Sequence, residues 1–332
     1  MTHILVTGAA GFIGSHLCET LLDRGHTVRG VDAFTTFYDP ARKRDNLRGA
    51  LRSTGFELAA TDLASASPRT LRRLLDGVEA VVHLAGEPGV THSWGESFRR
   101  YVERNVLATQ RLLEALPAHG VRRFVHASSS SVYGSGGNVL RATGEPRPAS
   151  PYGVTKLAGE TLVGAYAAER DLSAVILRYF SVYGPRQRPD MAAHRFVEAL
   201  LDGRSPTVYG DGRQVRDFTF VGDVVAATAA ALDADLPTGA VLDVASAHPV
   251  SVAAMLHALE CLVDVDQVVQ RAGPRPGDVA RTAGDITAAR RWLGWEPEVD
   301  LAGGLARQVA WHRSLRASEA APAAVAASAL GG

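Results

Sequence analysis

A chain of 332 residues, 46% hydrophobic and 21% charged, carries enough apolar material for one large α/β domain or two closely packed ones. Lys plus Arg and Asp plus Glu each number 35, so the formal net charge is zero and the basic excess of a nucleic-acid binder is missing. Cys18 and Cys261 supply neither a disulfide framework nor metal-ligand spacing, and the 11 histidines show no ligand-like pairs, so no metal is expected.

No window holds ~18 uninterrupted apolar residues, and the N-terminus reaches Gly8 too soon for a signal peptide. The expectation is a soluble, cytoplasmic protein with no membrane or nucleic-acid partner.

Short β-branched runs alternate with longer amphipathic stretches through the first half. His3–Val6, Thr27–Val31, Phe56–Ala60, Ala80–Leu84, Phe124–Ala127 and Ala174–Leu177 read as strands. Most are apolar throughout, as a parallel sheet covered on both faces requires. Between them Ile13–Arg24, Arg69–Leu75, Phe98–Leu116 and Lys156–Glu169 read as helices. That order predicts an α/β fold built on a doubly wound parallel sheet with right-handed crossovers. Beyond Tyr183, turn signals at Gly184–Pro185, Arg188–Pro189 and Tyr209–Gly210–Asp211–Gly212 separate shorter elements. Residues 1–183 are expected to form the main domain and 184–316 a smaller C-terminal lobe that closes over a substrate. The Ala-rich stretch 317–332 is expected to fray or be disordered.

Gly8, Gly11 and Gly14 stand at the junction of the first strand and the first helix. Gly8 permits a tight turn, Gly11 lets backbone approach a pyrophosphate, and Gly14 lets the helix pack close to the strand. With Phe12 and Ile13, the helix start then turns its free N–H groups and positive dipole end toward the phosphates. Asp32 ends the second strand, where a carboxylate accepts hydrogen bonds from the adenosine ribose and repels a 2′-phosphate, favouring NAD over NADP. Asp62 and Leu63, after the third strand, are expected to line the adenine.

Ser150-Pro151-Tyr152-Gly153-Val154-Thr155-Lys156 opens a predicted helix, with Tyr152 and Lys156 a turn apart on one face. A phenol titrating near pH 10 is a poor base at neutrality. A neighbouring ammonium and the cation of a nicotinamide cofactor favour the phenolate, and Tyr152 can then exchange a proton with a sugar hydroxyl. A third hydroxyl is expected at the end of the fifth strand, where Ser128, Ser129, Ser130 and Ser131 are consecutive.

The three-and-three glycine spacing, together with Tyr152 and Lys156, resembles the extended short-chain dehydrogenase/reductase family of NAD-dependent nucleotide-sugar epimerases and dehydratases. The resemblance runs from Ile4 to about Trp311. It includes His83-Leu84-Ala85, Asn105, Arg178–Pro185, Val208–Gly212, Arg216-Asp217-Phe218 and Arg275-Pro276-Gly277-Asp278. It implies a Rossmann-type fold with Leu84 and Ala85 beside the NAD. Within a Ser-x-x-Val-Tyr-Gly motif it selects Ser129 as the catalytic hydroxyl. It also implies that Arg216, Arg275 and Asp278 hold the nucleotide diphosphate, as guanidinium forks suit phosphates and a carboxylate suits ribose hydroxyls. The Phe98–Leu116 and Lys156–Glu169 helices are implied to pair in a homodimer through a four-helix bundle.

Two features sort the members of the family. Dehydratases and decarboxylases carry an acid immediately before the Val-Tyr-Gly, where this chain has Ser131, so a 4-epimerase is implied. Asp32–Arg44 and Arg188–Ala192 resemble UDP-glucuronate 4-epimerases. The implied reaction interconverts UDP-glucuronate and UDP-galacturonate by transient oxidation at C4, rotation of the 4-keto sugar and hydride return. Ser130, Ser131 and Ser181, with Arg188 nearby, are then expected to hold the sugar carboxylate. They would keep it out of the alignment in which a β-keto acid loses CO2. Gly86 stands where the family usually has Ala, and Thr91-His92-Ser93 where Arg-Tyr-Ser is usual. The alternatives are a UDP-glucose 4-epimerase, a UDP-glucuronate decarboxylase or 4,6-dehydratase, and, outside catalysis, an NAD-binding redox sensor or scaffold. The intact Ser129, Tyr152 and Lys156 argue against the last.

Overall fold

A computed structural model describes residues 1–134 and 145–329, with side chains through Ser318. Its first half alternates β1 (His3–Thr7), α1 (Phe12–Asp23), β2 (Thr27–Asp32), α2 (Pro40–Asn46), β3 (Phe56–Ala60), α3 (Pro68–Leu74) and β4 (Ala80–His83). Then come α4 (Phe98–Tyr101), a π-helical stretch over Val102–Leu107, α5 (Ala108–Ala115), β5 (Arg123–Ser129), α6 (Pro151–Arg170) and β6 (Ala174–Tyr179). The expected helix over Phe98–Leu116 is thus three segments in line, with a wide turn around Asn105. Such π turns recur where a helix must aim a side chain.

The second half contributes β7 (Val182–Tyr183), α7 (Ala192–Leu201), β8 (Thr207–Tyr209), β9 (Val215–Arg216), β10 (Thr219–Phe220) and α8 (Val221–Asp233). It continues with β11 (Ala240–Val244), β12 (Val250–Ser251), α9 (Val252–Val263), β13 (Gln270–Ala272), α10 (Thr287–Leu293) and α11 (Leu301–Ala329). The last helix draws the backbone of the Ala-rich stretch as helix to Ala329, in line with the high helix propensity of Ala.

Seven parallel strands form the central sheet in the order β11-β6-β5-β4-β1-β2-β3. The order reverses beside β1, and an open sheet of this kind binds ligands at that crevice, beyond the carboxyl ends of the strands. Alternate residues of β1 feed two cores. Ile4 and Val6 join Leu17, Leu21 and Val225 on one face, while Leu5 joins Val81, Leu112 and Phe124 on the other. The seventh strand, β11, and the helix α8 come from beyond residue 183, so the second half also supplies part of the sheet and of its first core.

Local caps set where the helices begin. Asp39 accepts from the Ala41 N–H at 2.8 Å ahead of Pro40, and Ser150 accepts from the Gly153 N–H at 3.1 Å ahead of Pro151. The second cap puts Tyr152 in the first turn of α6, at the carboxyl end of β5. Among the described residues, no helix is long and apolar enough to cross a membrane.

Candidate active site

The β1–α1 turn is built for close approach. Gly8 has φ of +70° and lies so near the chain leaving β4 that a Cβ there would sit 2.9 Å from the Ala85 nitrogen, while a Cβ at Gly14 would run into the Gly8 carbonyl. The N-cap of α1 is Gly11, with no side-chain cap and no acid in the first turn. Its leading N–H groups and positive end are therefore left for an anion. Asp32 is buried, with its carboxylate accepting from the Ala10 N–H at 3.1 Å and the Phe34 N–H at 2.8 Å. Asp62 accepts from the Ala64 N–H at 3.0 Å.

These residues line one cleft of about 230 Å3. Gly8, Gly11, Phe12, Ile13 and Gly14 line it together with Asp32, Asp62, Leu63, Leu84, Ala85, Tyr152 and Lys156. Every expected cofactor residue is present. Ser128 also lines this cleft, while Ser129, Ser130 and Ser131 line neither it nor its neighbour. The neighbouring cleft, about 300 Å3, holds Ser181, Arg188, Arg216, Arg275 and Asp278. Arg188 lines both, so the two clefts meet at its guanidinium.

Tyr152 lines the first cleft, and the nearby Ser129 hydroxyl accepts from the Ser131 N–H at 3.2 Å. The electrostatics differ from expectation. Burial pushes the Tyr152 phenol above its ordinary range, and the forces opposing this are the Ser129 hydrogen bond and the Arg188 charge. The Lys156 ammonium donates to the Ala127 carbonyl. Burial draws Lys156 down to about 8, against the pull of Glu160. Arg188 is gripped by Asp190 through two bonds of 3.0 Å.

In the second cleft Arg216 pairs with Asp278, and the Arg275 guanidinium lies 3.5 Å from the centre of the Tyr209 ring. Hydrogen bonding from Arg275, then the charges of Arg195 and Arg275, lower the Tyr209 phenol. The cleft thus presents guanidinium groups beside an aromatic face, which suits a diphosphate joined to a base.

A family model described as the NAD dependent epimerase/dehydratase family matches residues 4–245. The chain belongs to that family. It is 41% identical over 317 residues to YtcB of Bacillus subtilis (strain 168), named an uncharacterized UDP-glucose epimerase, covering 95% of this chain and 99% of that one. It is 34% identical to the UDP-glucuronate 4-epimerase of Thermodesulfobacterium geofontis (strain OPF15), over 94% of this chain and 97% of the relative. The crystal structure of the UDP-glucuronic acid 4-epimerase of Bacillus cereus, in complex with UDP-glucuronic acid and NAD, superposes with a TM-score of 0.90. The two are 39% identical, over 94% of this chain and 99% of that structure's chain.

The cofactor of the family is NAD, and the bare α1 terminus, the Cβ-free turn and the buried Asp32 fit it. Several residues of this cleft escape sequence reasoning. Lys43 is buried 3.9 Å from Asp32, donates to the Thr35 hydroxyl at 3.1 Å and lies over the Tyr38 ring. In the basic run Arg42-Lys43-Arg44 it reads as one more surface charge, and only the cap at Asp39 fixes which face turns inward. Glu87 is buried between Arg100 at 2.8 Å and Arg104 at 2.7 Å. The departure at Gly86 has a steric reason, since a Cβ there would lie 2.8 Å from Asn105 Oδ1. That oxygen accepts from the Glu87 N–H at 2.6 Å.

Two histidines far apart in the chain meet in the fold. Among the described residues His194, Glu198 and His312 bring one potential ligand atom each within 4.8 Å of one another. Spacing along the chain could not reveal this, because α7 and α11 meet only in the fold.

Gly11→Val should abolish NAD binding while leaving the fold intact. The added branches project from the α1 terminus into the space the pyrophosphate needs. Fluorescence titration with NAD, alongside circular dichroism, checks this, and binding retained by a folded variant removes the turn from the cofactor site.

Proposed function

We propose that this chain is a UDP-glucuronate 4-epimerase that interconverts UDP-glucuronate and UDP-galacturonate. The observation that carries the reading is the meeting of the two clefts at Arg188, with Tyr152 on one side and Ser181 on the other. The close likeness to the Bacillus cereus enzyme supports the same substrate.

NAD, when bound, supplies the hydride acceptor and donor for C4. The chain's own residues do the rest. Gly8, Gly11 and Gly14 admit the pyrophosphate, and Asp32 accepts from the adenosine ribose. Tyr152 takes the C4 hydroxyl proton and returns it, while Ser129 holds the reacting oxygen. Lys156, fixed by the Ala127 carbonyl, keeps a positive charge beside the cofactor cleft. Arg216, Arg275 and Asp278 take the UDP, and Arg188 with Ser181 holds the sugar carboxylate.

Ser130 and Ser131 line neither cleft, so Ser181 is the expected serine with a place beside Arg188. Ser131 also stands where a dehydratase or decarboxylase has its acid. That absence favours epimerisation over elimination or loss of CO2. The second reading, a UDP-glucose 4-epimerase, draws on the name of the Bacillus subtilis relative.

Incubation with UDP-glucuronate should give UDP-galacturonate and little UDP-pentose. UDP-glucose should react at least about 10²-fold less efficiently, since a site built for polar contacts is left with unpaired groups by an analogue lacking them. Equal turnover of both substrates discards the glucuronate assignment. Tyr152→Phe should cost ~10²–10⁴-fold in turnover with NAD binding retained. Arg188→Gln should shift the limb of the pH–rate profile set by Tyr152 to higher pH. The lost charge is one of the forces holding that phenol down, so an unmoved limb would remove Arg188 from this role.

We also propose a homodimer, formed by pairing α4–α5 and α6 with their copies. Phe98, Val102, Leu107 and Val154 are 39%, 37%, 41% and 47% exposed on these elements, an apolar set that a partner would cover. Two free cysteines, buried Cys18 and exposed Cys261, fit a reducing cytoplasm. Val102→Glu should convert the dimer to monomer in light scattering at micromolar concentration. A wild type that is already monomeric defeats the dimer.

A further inference from the structure

A third cleft of about 320 Å3 opens behind the two already described. Three guanidinium groups line it, Arg42 from α2, Arg195 from α7 and Arg204 just beyond α7, against the single carboxylate of Glu198. The hydroxyls of Ser205 and Thr207 complete the wall. Beyond the lining, Arg316 and Asp202 add one charge of each sign, and Arg316 bonds both Glu198 at 3.4 Å and Asp202 at 2.6 Å. Arg204 also pairs with Asp202, at 2.6 Å. Among the described residues no carboxylate lies within ion-pair distance of Arg42 or Arg195, so an excess of two positive charges faces the cleft.

The neighbouring His194–Glu198–His312 trio raises a cation as the alternative occupant. The hydrogen bonds decide against it. His194 Nδ1 donates to the Gln187 carbonyl at 2.8 Å, so Nε2 carries the lone pair, and Arg42 sits on it at 3.3 Å. Glu198 is taken by His312 and Arg316. A divalent ion would have to displace two guanidiniums from its own ligands while surrounded by others. An anion needs no displacement, because the His194 bond leaves the remaining donors of the Arg42 fork free to turn outward.

We propose that this cleft is an oxyanion site that takes phosphate or the phosphate group of a small monoester. Its position ties it to both other clefts. Arg42 adjoins Lys43, the partner of Asp32, and Pro189, which lines the cleft, adjoins Arg188. Arg195 and Thr207 line the second cleft as well, and Arg195 lies 5.0 Å from the centre of the Tyr209 ring. An anion that draws the Arg195 guanidinium toward the third cleft takes it away from Tyr209, so its presence weakens binding of a nucleotide diphosphate.

The test is direct binding to the purified full chain, followed by 31P line broadening, with inorganic phosphate and glucose 1-phosphate titrated separately at fixed chloride concentration. Saturable binding that weakens at least about tenfold in Arg42→Gln and in Arg204→Gln supports the site, as each variant loses a charge-assisted hydrogen bond. Tighter binding of glucose 1-phosphate identifies a monoester as the ligand, and equal binding identifies phosphate alone. Calorimetry with UDP is the second arm. Phosphate should weaken UDP binding in the wild type and do so less in both variants. Weakening that persists undiminished in the variants places the phosphate in the second cleft and overturns the proposal, as does phosphate binding unaffected by either substitution. Neither arm measures turnover, so both stand apart from the identity of the sugar.

Discussion

The site depends on how closely a helix can approach a strand. At the β1–α1 turn the Gly8 backbone lies against Ala85, just past the end of β4, and the α1 backbone at Gly14 lies against the Gly8 carbonyl. Any side chain at either position would push the helix outward. The closeness has two effects. It brings the uncapped terminus of α1 into the crevice where strand order reverses, and it sets Asp32, at the end of β2, against the same turn, where its carboxylate accepts from the Ala10 N–H. Steric economy at two α carbons therefore sets the electrostatics of the whole cofactor cleft.

A second constraint fixes the catalytic helix on the sheet. Glu160, one turn beyond Lys156 on α6, is buried and bonds Arg178 of β6 at 2.7 and 2.9 Å, as well as the Ser128 hydroxyl of β5. Arg178 also donates to the Tyr133 hydroxyl at 2.8 Å, which in turn donates to Asp243 of β11 at 2.8 Å. Breaking such a buried pair by removing one partner strands an uncompensated charge and typically costs about 3–5 kcal/mol. The network joins three strands to α6, so Tyr152 and Ser129 stand in a fixed relation although they lie on different elements. Asp243 bears part of the cost. Burial lifts its carboxyl to about 7, against the Tyr133 hydrogen bond. An acid raised in this way favours the fold most at low pH and loses that contribution as pH rises toward 7.

What the chain discloses before it is folded follows from the range of each signal. The strands, the glycine turn and the Tyr152–Lys156 spacing are local, and the structure places each within a residue or two of expectation. The motif around Ser129 is local too, and it brings that hydroxyl to Tyr152. Helical spacing sets the proximity of Lys156 to Tyr152 but not its direction, and the ammonium turns to a carbonyl of β5. Lys43, Glu87 and the His194–Glu198–His312 trio were hidden for a different reason. Their partners lie on other elements, and a charged residue in a polar run gives no sign that its neighbours will bury it. The seventh strand, β11, was missed because it follows a region dense with turns and pairs with β6, more than sixty residues earlier.

The Arg188–Tyr152 relation bears on how such a site can sense the charge of its substrate. Arg188 lowers the Tyr152 phenol, yet its own charge is largely shared with Asp190 through two 3.0 Å bonds. The strength of its pull depends on what else bonds the guanidinium. Under the proposed function, a sugar carboxylate competes with Asp190 for that fork. If the carboxylate adds to the pair, one cation serves two anions and the phenol is held down less. If it displaces Asp190 from the fork, the guanidinium still pairs with a single carboxylate, and the sugar acid is fixed. Only the second arrangement serves a proton exchange that must run in both directions on an acidic sugar.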